Sequence, residues 1–251
     1  MSTRRCWAEQ EGGCEGPLTR EHVVSECLLE GQAVRVRGLA WCQGEFRPAG
    51  IGGPSCKCLC DKHNNTLSPV DGEAKRLLEA LTLLLESKGG GQSNNPRIDG
   101  HRFGRWLAKT ACNQAAANER HIPTRLIRYA FAERDDSTIR IYGAYGRGSH
   151  ASIGLNHVGS YWLHGADNPE SVAINIPFFG FPFILSTFSL LPFWPDVASL
   201  LRLDPDAGIM LMDRIARLDF ADPGGSKGAI HFEWDNSCRE AGDWMRNPLD
   251  I

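Results

Sequence analysis

Cysteine spacing is the feature that most constrains this chain. Seven of its nine cysteines lie between Cys6 and Cys60, in a sequence of 251 residues. An odd, clustered set of thiols with no export signal favours metal ligation in a reducing cytosol over a disulfide framework. The first seventeen residues are Gly-rich and polar, so burial alone cannot order them and a metal ion is the natural clamp.

A structural zinc site follows from the residue types. Cys60-x-x-His63 has the spacing of a zinc knuckle, and Cys6 and Cys14 can supply the other two ligands of a tetrahedral site. Cys56 and Cys58 compete with Cys60 for one position, because residues two apart on a strand face the same way. Buried thiols without a metal are the alternative.

A second group of residues carries harder ligands. The Glu21 carboxylate and the Asn64 carbonyl oxygen suit Mg²⁺ or Mn²⁺ better than zinc. His22 points to the other side of its predicted strand, where a neutral imidazole can take a proton from water at physiological pH. Alternatively, Glu21 and His22 are surface residues of a strand, and Asn64 caps a helix.

Together these residues resemble the HNH, or ββα-metal, endonucleases, and in particular one branch of that family. The resemblance rests on Cys6 and Cys14, then Thr19-x-Glu21-His22-Val23, then Cys60-x-x-His63-Asn64 and Asp71. His63 stands where the family usually has a cysteine, and Asn64 stands where it has its final histidine. About forty residues separate His22 from Asn64, which is longer than the usual hairpin.

The resemblance implies a function and a set of roles. It implies that His22 activates water, that Glu21 and Asn64 hold a catalytic Mg²⁺ or Mn²⁺, and that the zinc ligands stabilise the module. The implied activity is metal-dependent hydrolysis of DNA phosphodiester bonds, in a bacterial or phage setting such as antiviral defence or mobile DNA. RNA as the substrate, or a non-catalytic zinc-stapled module that binds nucleic acid, protein or a small ligand, are the alternatives.

The fold expectation is an α+β protein in three parts. Residues 1–88 are expected to form the zinc-stapled nuclease module, residues 97–131 a basic helical connector, and residues 136–251 a mostly antiparallel β domain. Within the first part, an irregular loop of about thirty residues is expected to join two strands. A short helix then starts near Asp61 and stops before Pro69, and Asp71 caps a second helix that ends near residue 89.

Charge is distributed unevenly along the chain. The net charge is only −3, but residues 97–147 carry ten Lys and Arg against five acids, and residues 148–251 carry six against thirteen. Arg102, Arg105 and Lys109 recur at i, i+3 and i+7 of a predicted helix over residues 101–119, and we expect them to contact DNA phosphates. The alternative is solvated surface charge.

The second half of the chain changes to an apolar period of two, which predicts short strands. Residues 173–195 carry no charge, but four prolines and one glycine interrupt them, so two buried strands and a turn are favoured over a membrane span. We therefore expect a cytoplasmic protein with no membrane partner. The β domain is expected to carry any homo-oligomer or protein contact.

Overall fold

A computed structural model describes residues 5–29, 34–37, 39–50, 53–86, 95–133, 138–145, 161–164, 168–178, 181–190, 210–214, 217–222 and 225–234. Its helices are α1 (Asp61–Glu86), α2 (Gly100–Ala117) and α3 (Thr124–Phe131). Its strands are β1 (Leu18–His22), β2 (Val34–Val36), β3 (Arg47–Ala49), β4 (Ser55–Cys60), β5 (Arg97–Asp99), β6 (Arg140–Tyr145), β7 (Tyr161–His164), β8 (Val172–Phe178), β9 (Phe181–Ser186), β10 (Met210–Asp213), β11 (Arg217–Asp222) and β12 (Gly225–Glu233). This mixture of helix and sheet is compatible with the expected α+β class.

The N-terminal part is an antiparallel hairpin followed directly by a helix. β1 pairs with β4, so that Leu18 lies opposite Cys60 and His22 opposite Ser55. The segment between them was expected to be an irregular loop, but its described part contains a second hairpin in which β2 pairs with β3. This insertion has its own small core, in which Val36, Cys42 and Ala49 pack with Val23. Alternating apolar residues bury one face of the insertion, and that burial orders it.

Helix α1 runs without a break through Pro69, which corrects the prediction that it stops near residue 67. Pro69 is exposed, and so is Asn65, whose carbonyl the proline leaves without its helical donor. Water can pair that carbonyl, so the local cost is small enough for burial of Leu67, Val70 and Ala74 to outweigh it. Asp71 is therefore an interior helix residue and not a cap.

Helix α2 lies at the centre of the described structure. The predicted helix over residues 101–119 is confirmed, and its inward residues Phe103, Trp106 and Leu107 are buried. It packs against α1, α3, β4, β8, β9 and β12. Asp99 caps it by accepting a hydrogen bond from the Arg102 amide. The third helix, expected to open at Pro123, is confirmed as α3.

Two further sheets complete the described part. One has the strand order β10-β6-β9-β8-β7, and the other has the order β11-β12-β5. Every described pairing is antiparallel except that of β12 with β5. Strands predicted from the period of two are confirmed as β6, β7, β8, β10, β11 and β12. The predicted strand over residues 151–155 and the predicted linker residues 89–94 lie outside the described residues.

The uncharged stretch forms strands rather than a helix. β8 and β9 pair from Ala173 opposite Ser186 to Phe178 opposite Phe181, and residues 172–176 are buried. The predicted pair of buried strands with a turn is thus confirmed as far as residue 186. None of the helices in the described ranges combines the length and apolarity needed to cross a bilayer.

The approach of α2 to its neighbours depends on Gly104. A Cβ added at this position would overlap Ile141 Cδ1 and approach Tyr129 Oη to 2.5 Å. We expect Gly104→Ala to lower the free energy of unfolding by about 1–3 kcal/mol, the usual cost of overpacking a core. Gly72→Ala is the matched control, because a Cβ at this exposed position in α1 meets no atom within 4 Å. It is expected to gain about 0.5–1 kcal/mol from helix propensity. Urea unfolding of both variants checks the pair, and equal destabilisation would contradict the packing argument.

Candidate functional site

Four side chains predicted as zinc ligands converge at the junction of β4 and α1. The ligand atoms of Cys6, Cys14, Cys60 and His63 all lie within 4.8 Å of one another. The His63 Nδ1 atom is 3.4, 3.6 and 3.2 Å from the sulfurs of Cys6, Cys14 and Cys60. A tetrahedral zinc ion with ordinary Zn–S and Zn–N distances places sulfur and nitrogen about 3.6 Å apart. The donor set and its size therefore fit a metal ion such as Zn²⁺.

Local backbone structure places the ligands. Cys60 is the last residue of β4 and His63 lies in the first turn of α1, so the strand-to-helix junction sets their spacing. The loop carrying Cys14 is tied to this helix start, because the Asp61 amide donates to the Pro17 carbonyl (3.1 Å) and the Lys62 ammonium contacts Glu15 (2.6 Å). The Cys60 amide donates to the Cys6 sulfur (3.4 Å), an outer contact typical of zinc–thiolate sites.

The choice among the three cysteines of β4 falls on Cys60. Cys56 and Cys58 point towards α2, where their thiols donate to the backbone carbonyl and the side-chain oxygen of Asn113 (3.9 and 3.6 Å). A bulge between Thr19 and Arg20 shifts the β1–β4 register beside these residues. The three cysteines were equivalent candidates only because side chains two residues apart on a regular strand face the same way. The bulge interrupts that alternation.

The thiols of the cluster differ in acidity. Burial raises the pKa of Cys6, while partial desolvation and the neighbouring Cys6 thiol raise the pKa of Cys14 to about 12. Burial also acts to raise the pKa of Cys60, but backbone hydrogen bonds at His63 and Glu15 outweigh it, so that pKa is lowered. The start of α1 thus stabilises one thiolate, and a bound cation would have to displace protons from the other two sulfurs.

Glu21 belongs to a buried ionic network that the sequence did not reveal. The Lys109 ammonium lies 2.9 Å from Glu21 Oε1 and 2.8 Å from Asp71 Oδ2. Asp71 Oδ1 accepts from the Ser25 hydroxyl (2.6 Å), which in turn accepts from the Trp106 indole N–H (2.8 Å). The network joins β1, α1 and α2 across the face of the hairpin.

The prediction that Lys109 lies on an exposed, basic face of α2 is wrong. Its side chain is only 2% exposed, and two carboxylates surround its ammonium, so it is not available to DNA phosphates. Arg105 is half-buried, and its Nε donates to the Ala130 carbonyl (2.8 Å). Arg102 alone of the three is exposed, beside Asp99 (3.4 Å). The helical period correctly places the three residues on one face of α2. Their side chains become more buried from Arg102 to Lys109, because that face meets the core at Lys109.

Removing the Lys109 charge is expected to be costly. Lys109→Met leaves Glu21 and Asp71 facing each other without their cation, and breaking a buried ion pair costs about 3–5 kcal/mol. Arg102→Met on the same helix breaks only an exposed pair and should cost less than about 1 kcal/mol. Thermal and urea unfolding measure both, and a Lys109→Met protein as stable as Arg102→Met would show that the network contributes little.

His22 lies on the opposite, outward side of β1. Its side chain is 26% exposed, and Nδ1 is 3.8 Å from the Glu26 carboxylate. The His22 carbonyl accepts from the Asn113 side chain (3.0 Å), which also accepts from the Trp7 indole N–H (2.9 Å). Asn113 therefore connects the end of β1 to the segment next to Cys6. The sequence signal for its burial is its position seven residues after Trp106, which lies on the inward face of α2.

Asn64 follows His63 in the first turn of α1 and is partly buried. Within the described ranges, Cys6, Cys14, Cys60 and His63 are the only group of three or more His, Cys, Asp or Glu side chains close enough together to hold a metal ion. The predicted pairing of Glu21 with Asn64 around a second cation thus stays a prediction. Comparison of the chain with protein-family models, with curated proteins and with solved structures found no match.

Proposed function

We propose that this protein is a metal-dependent DNA endonuclease whose catalytic residues lie on the β1–β4 hairpin and the start of α1. One observation carries the proposal: a cluster of three cysteines and one histidine fastens the antiparallel β1–β4 hairpin to α1. Glu21 and His22 lie at the end of β1 that is remote from Cys60. A metal staple at one end of a small hairpin makes its other end rigid. Rigidity is what a hydrolytic site built from short strands requires.

His22 would act as the general base. Its Nε2 has no hydrogen-bond partner among the described residues, while Nδ1 faces Glu26. In the proposed reaction Nε2 takes a proton from water, the water oxygen attacks phosphorus, and the bond to the leaving sugar oxygen breaks. The Glu26 carboxylate stabilises the imidazolium that forms, and Asn113 holds the backbone of His22 in place.

Glu21 and Asn64 would hold the catalytic Mg²⁺ or Mn²⁺. Lys109 contacts Oε1 of Glu21, and Oε2 has no partner among the described residues, so one hard oxygen is left for a cation. Carboxylates that bind metals commonly accept a hydrogen bond on their other oxygen, and that is the role available to Lys109. When bound, the cation stabilises the charge that develops on the leaving oxygen.

A second function is favoured by the same ion pair. Lys109 already neutralises Glu21, and an ammonium at 2.9 Å opposes the approach of a further cation to this carboxylate. A zinc-stapled module that binds nucleic acid, protein or a small ligand without cutting would have this arrangement. It predicts one tightly held zinc, no cleavage stimulated by Mg²⁺ or Mn²⁺, and DNA affinity indifferent to Glu21→Ala.

Plasmid nicking separates the two functions. Zinc-loaded protein is mixed with supercoiled plasmid in the presence of Mg²⁺, of Mn²⁺ or of neither ion. The open-circular product is then quantified by gel electrophoresis. The endonuclease proposal expects nicking that needs the added cation and is lost in Glu21→Ala. Chelators are avoided because they would also strip the zinc staple. Single-stranded DNA and RNA in parallel reactions identify the preferred substrate, and no cleavage of any of them favours the binding module.

A further inference from the structure

The outward face of the β1–β4 hairpin carries two cations directly opposite each other. Arg20 and Lys57 are cross-strand partners, and both are exposed. Like charges at facing positions destabilise an antiparallel pair. Neither residue has a carboxylate or hydrogen-bond partner among the described residues. The two side chains therefore form a positive site without a counter-charge. A bound anion would reduce the repulsion between them.

His22 belongs to the same outward face. Side chains alternate along a strand, so Arg20 and His22 point one way while Glu21 points inward to Lys109. Two residues along a strand span about 7 Å. An anion bound between Arg20 and Lys57 would therefore lie about 7 Å from the His22 imidazole, which is the distance between side chains two residues apart on a strand.

The inserted hairpin adds further basic and aromatic groups. Arg35 and Arg37 follow the same alternation and lie over the ring of Phe46, with guanidinium carbons 5.7 and 5.5 Å from its centroid. Phe46 is 43% exposed, and Trp41, five residues earlier in the chain, is 51% exposed. Residues 34–57 contain four Lys or Arg and one acid.

Both hairpins turn their inner faces to the same side. The insertion core packs against Cys56 and against Ala117 at the end of α2, and Cys56 itself points towards Asn113 of α2. The outward faces consequently point away from α2. We term these exposed residues of the two hairpins, namely Arg20, Lys57, Arg35, Arg37 and Phe46, the hairpin surface.

We propose that the hairpin surface binds duplex DNA, and that Arg20 and Lys57 bind a backbone phosphate next to His22. The choice of DNA as the partner rests on the proposed function, and the surface replaces the α2 residues expected from the sequence. The chemistry suits a nucleic-acid backbone: paired cations neutralise phosphates, and an aromatic ring flanked by guanidinium groups contacts sugars and bases. Binding of this kind is insensitive to sequence and sensitive to salt.

Binding of a short fluorescent duplex, followed by anisotropy over a range of salt concentrations, tests the surface. Neither Mg²⁺, Mn²⁺ nor chelator is added, so the DNA stays intact and the zinc staple is kept. Arg20→Gln and Lys57→Gln are each expected to weaken binding roughly tenfold at 0.1 M salt, and to lower the slope of log affinity against log salt by about 1. The double variant should lower the slope by about 2, and Arg35→Gln with Arg37→Gln should act in the same direction.

Arg97→Gln is the matched control. It removes one exposed cation from β5, a strand of a different sheet, where Arg97 pairs with Glu233 (2.7 Å). Its affinity should stay close to that of the parent, because distant surface charges are screened. Melting temperature supplies an independent readout: Arg20→Gln and Lys57→Gln should raise it slightly by relieving the cross-strand repulsion.

The outcomes separate this proposal from the nuclease proposal. If the parent does not bind duplex DNA, or if Arg20→Gln and Lys57→Gln lose no more affinity than Arg97→Gln, the hairpin surface is wrong. A parent that nicks plasmid while these variants bind normally overturns the surface and leaves the nuclease. A parent that binds through the surface and never cuts overturns the nuclease and leaves the surface.

Discussion

Cys60→Ser is expected to abolish zinc binding by the Cys/His cluster and to disrupt the N-terminal module. Structural zinc contributes about 10–16 kcal/mol to the folding of small zinc-binding peptides, and a serine hydroxyl is a poor substitute for a thiolate. We expect the affinity for zinc to fall by more than about a hundredfold, which is the upper end of the cost of losing an outer-shell partner alone. Metal analysis of the purified protein and its thermal unfolding measure the two effects.

Cys56→Ser is the matched control for this experiment. It alters a thiol on the same strand, but one that contacts Asn113 and not His63. It should keep one zinc per chain, and His63→Cys should also keep it, because a thiolate replaces the imidazole. Loss of zinc from Cys56→Ser with retention in Cys60→Ser would show that the ligand assignment is wrong, and a zinc-free parent would overturn the staple itself.

The pH dependence of zinc binding follows from the same cluster. Because the pKa values of Cys6 and Cys14 are raised, both are protonated near neutral pH, and zinc must displace those protons. The apparent affinity should therefore fall as the pH falls. Each displaced proton contributes up to about one logarithmic unit per pH unit. A competition assay with a chromogenic chelator at several pH values measures the slope.

His22→Ala is expected to abolish most nicking without changing the fold. A positioned general base contributes about 10²–10⁴-fold in rate, so product formation should drop by that factor. The His22 side chain is partly exposed, and its anchor to Asn113 uses the backbone carbonyl, which alanine retains. Unfolding and zinc content should therefore match the parent. Single-turnover nicking in saturating Mg²⁺ isolates the chemical step.

Glu26→Gln is the informative companion to His22→Ala. It keeps the shape of the group that faces His22 Nδ1 but removes its charge, so a smaller decrease in rate is expected than for His22→Ala. Nicking by His22→Ala at the parental rate would eliminate His22 as the base.

The candidate metal-binding cluster could be predicted because the spacing of its residues is largely local. Cys60 and His63 are three residues apart, at the point where a strand becomes a helix, and backbone geometry nearly fixes their relation. Cys6 and Cys14 followed from the chemistry of the donor set, since a tetrahedral zinc needs two more soft ligands. The strand–strand–helix order and the period of α2 were also readable, because both depend on the alternation of apolar side chains.

Predictions failed where the outcome depended on which neighbours enclose a residue. Pro69 was expected to end a helix, but packing of both halves of α1 outweighed one missing hydrogen bond. Lys109 was expected on a solvent face, and the helical period cannot tell a basic face from a buried cation that two carboxylates compensate. The insertion was expected to be irregular because its short strands and glycines hide the small core that orders them.

The sequence by itself therefore determined three of the four cluster ligands and the elements that bear them. Ligand chemistry and local spacing specify Cys6, Cys14 and His63 together with one cysteine of β4, and the structure selects Cys60 because Cys56 and Cys58 contact Asn113 instead. Only the tertiary structure decided that Glu21 faces the Lys109 ammonium and that Arg20, His22 and Lys57 face solvent. The physical reason is that the packing of α2 against the hairpin decides which charges meet, and contacts between segments so distant in sequence leave no spacing pattern to detect.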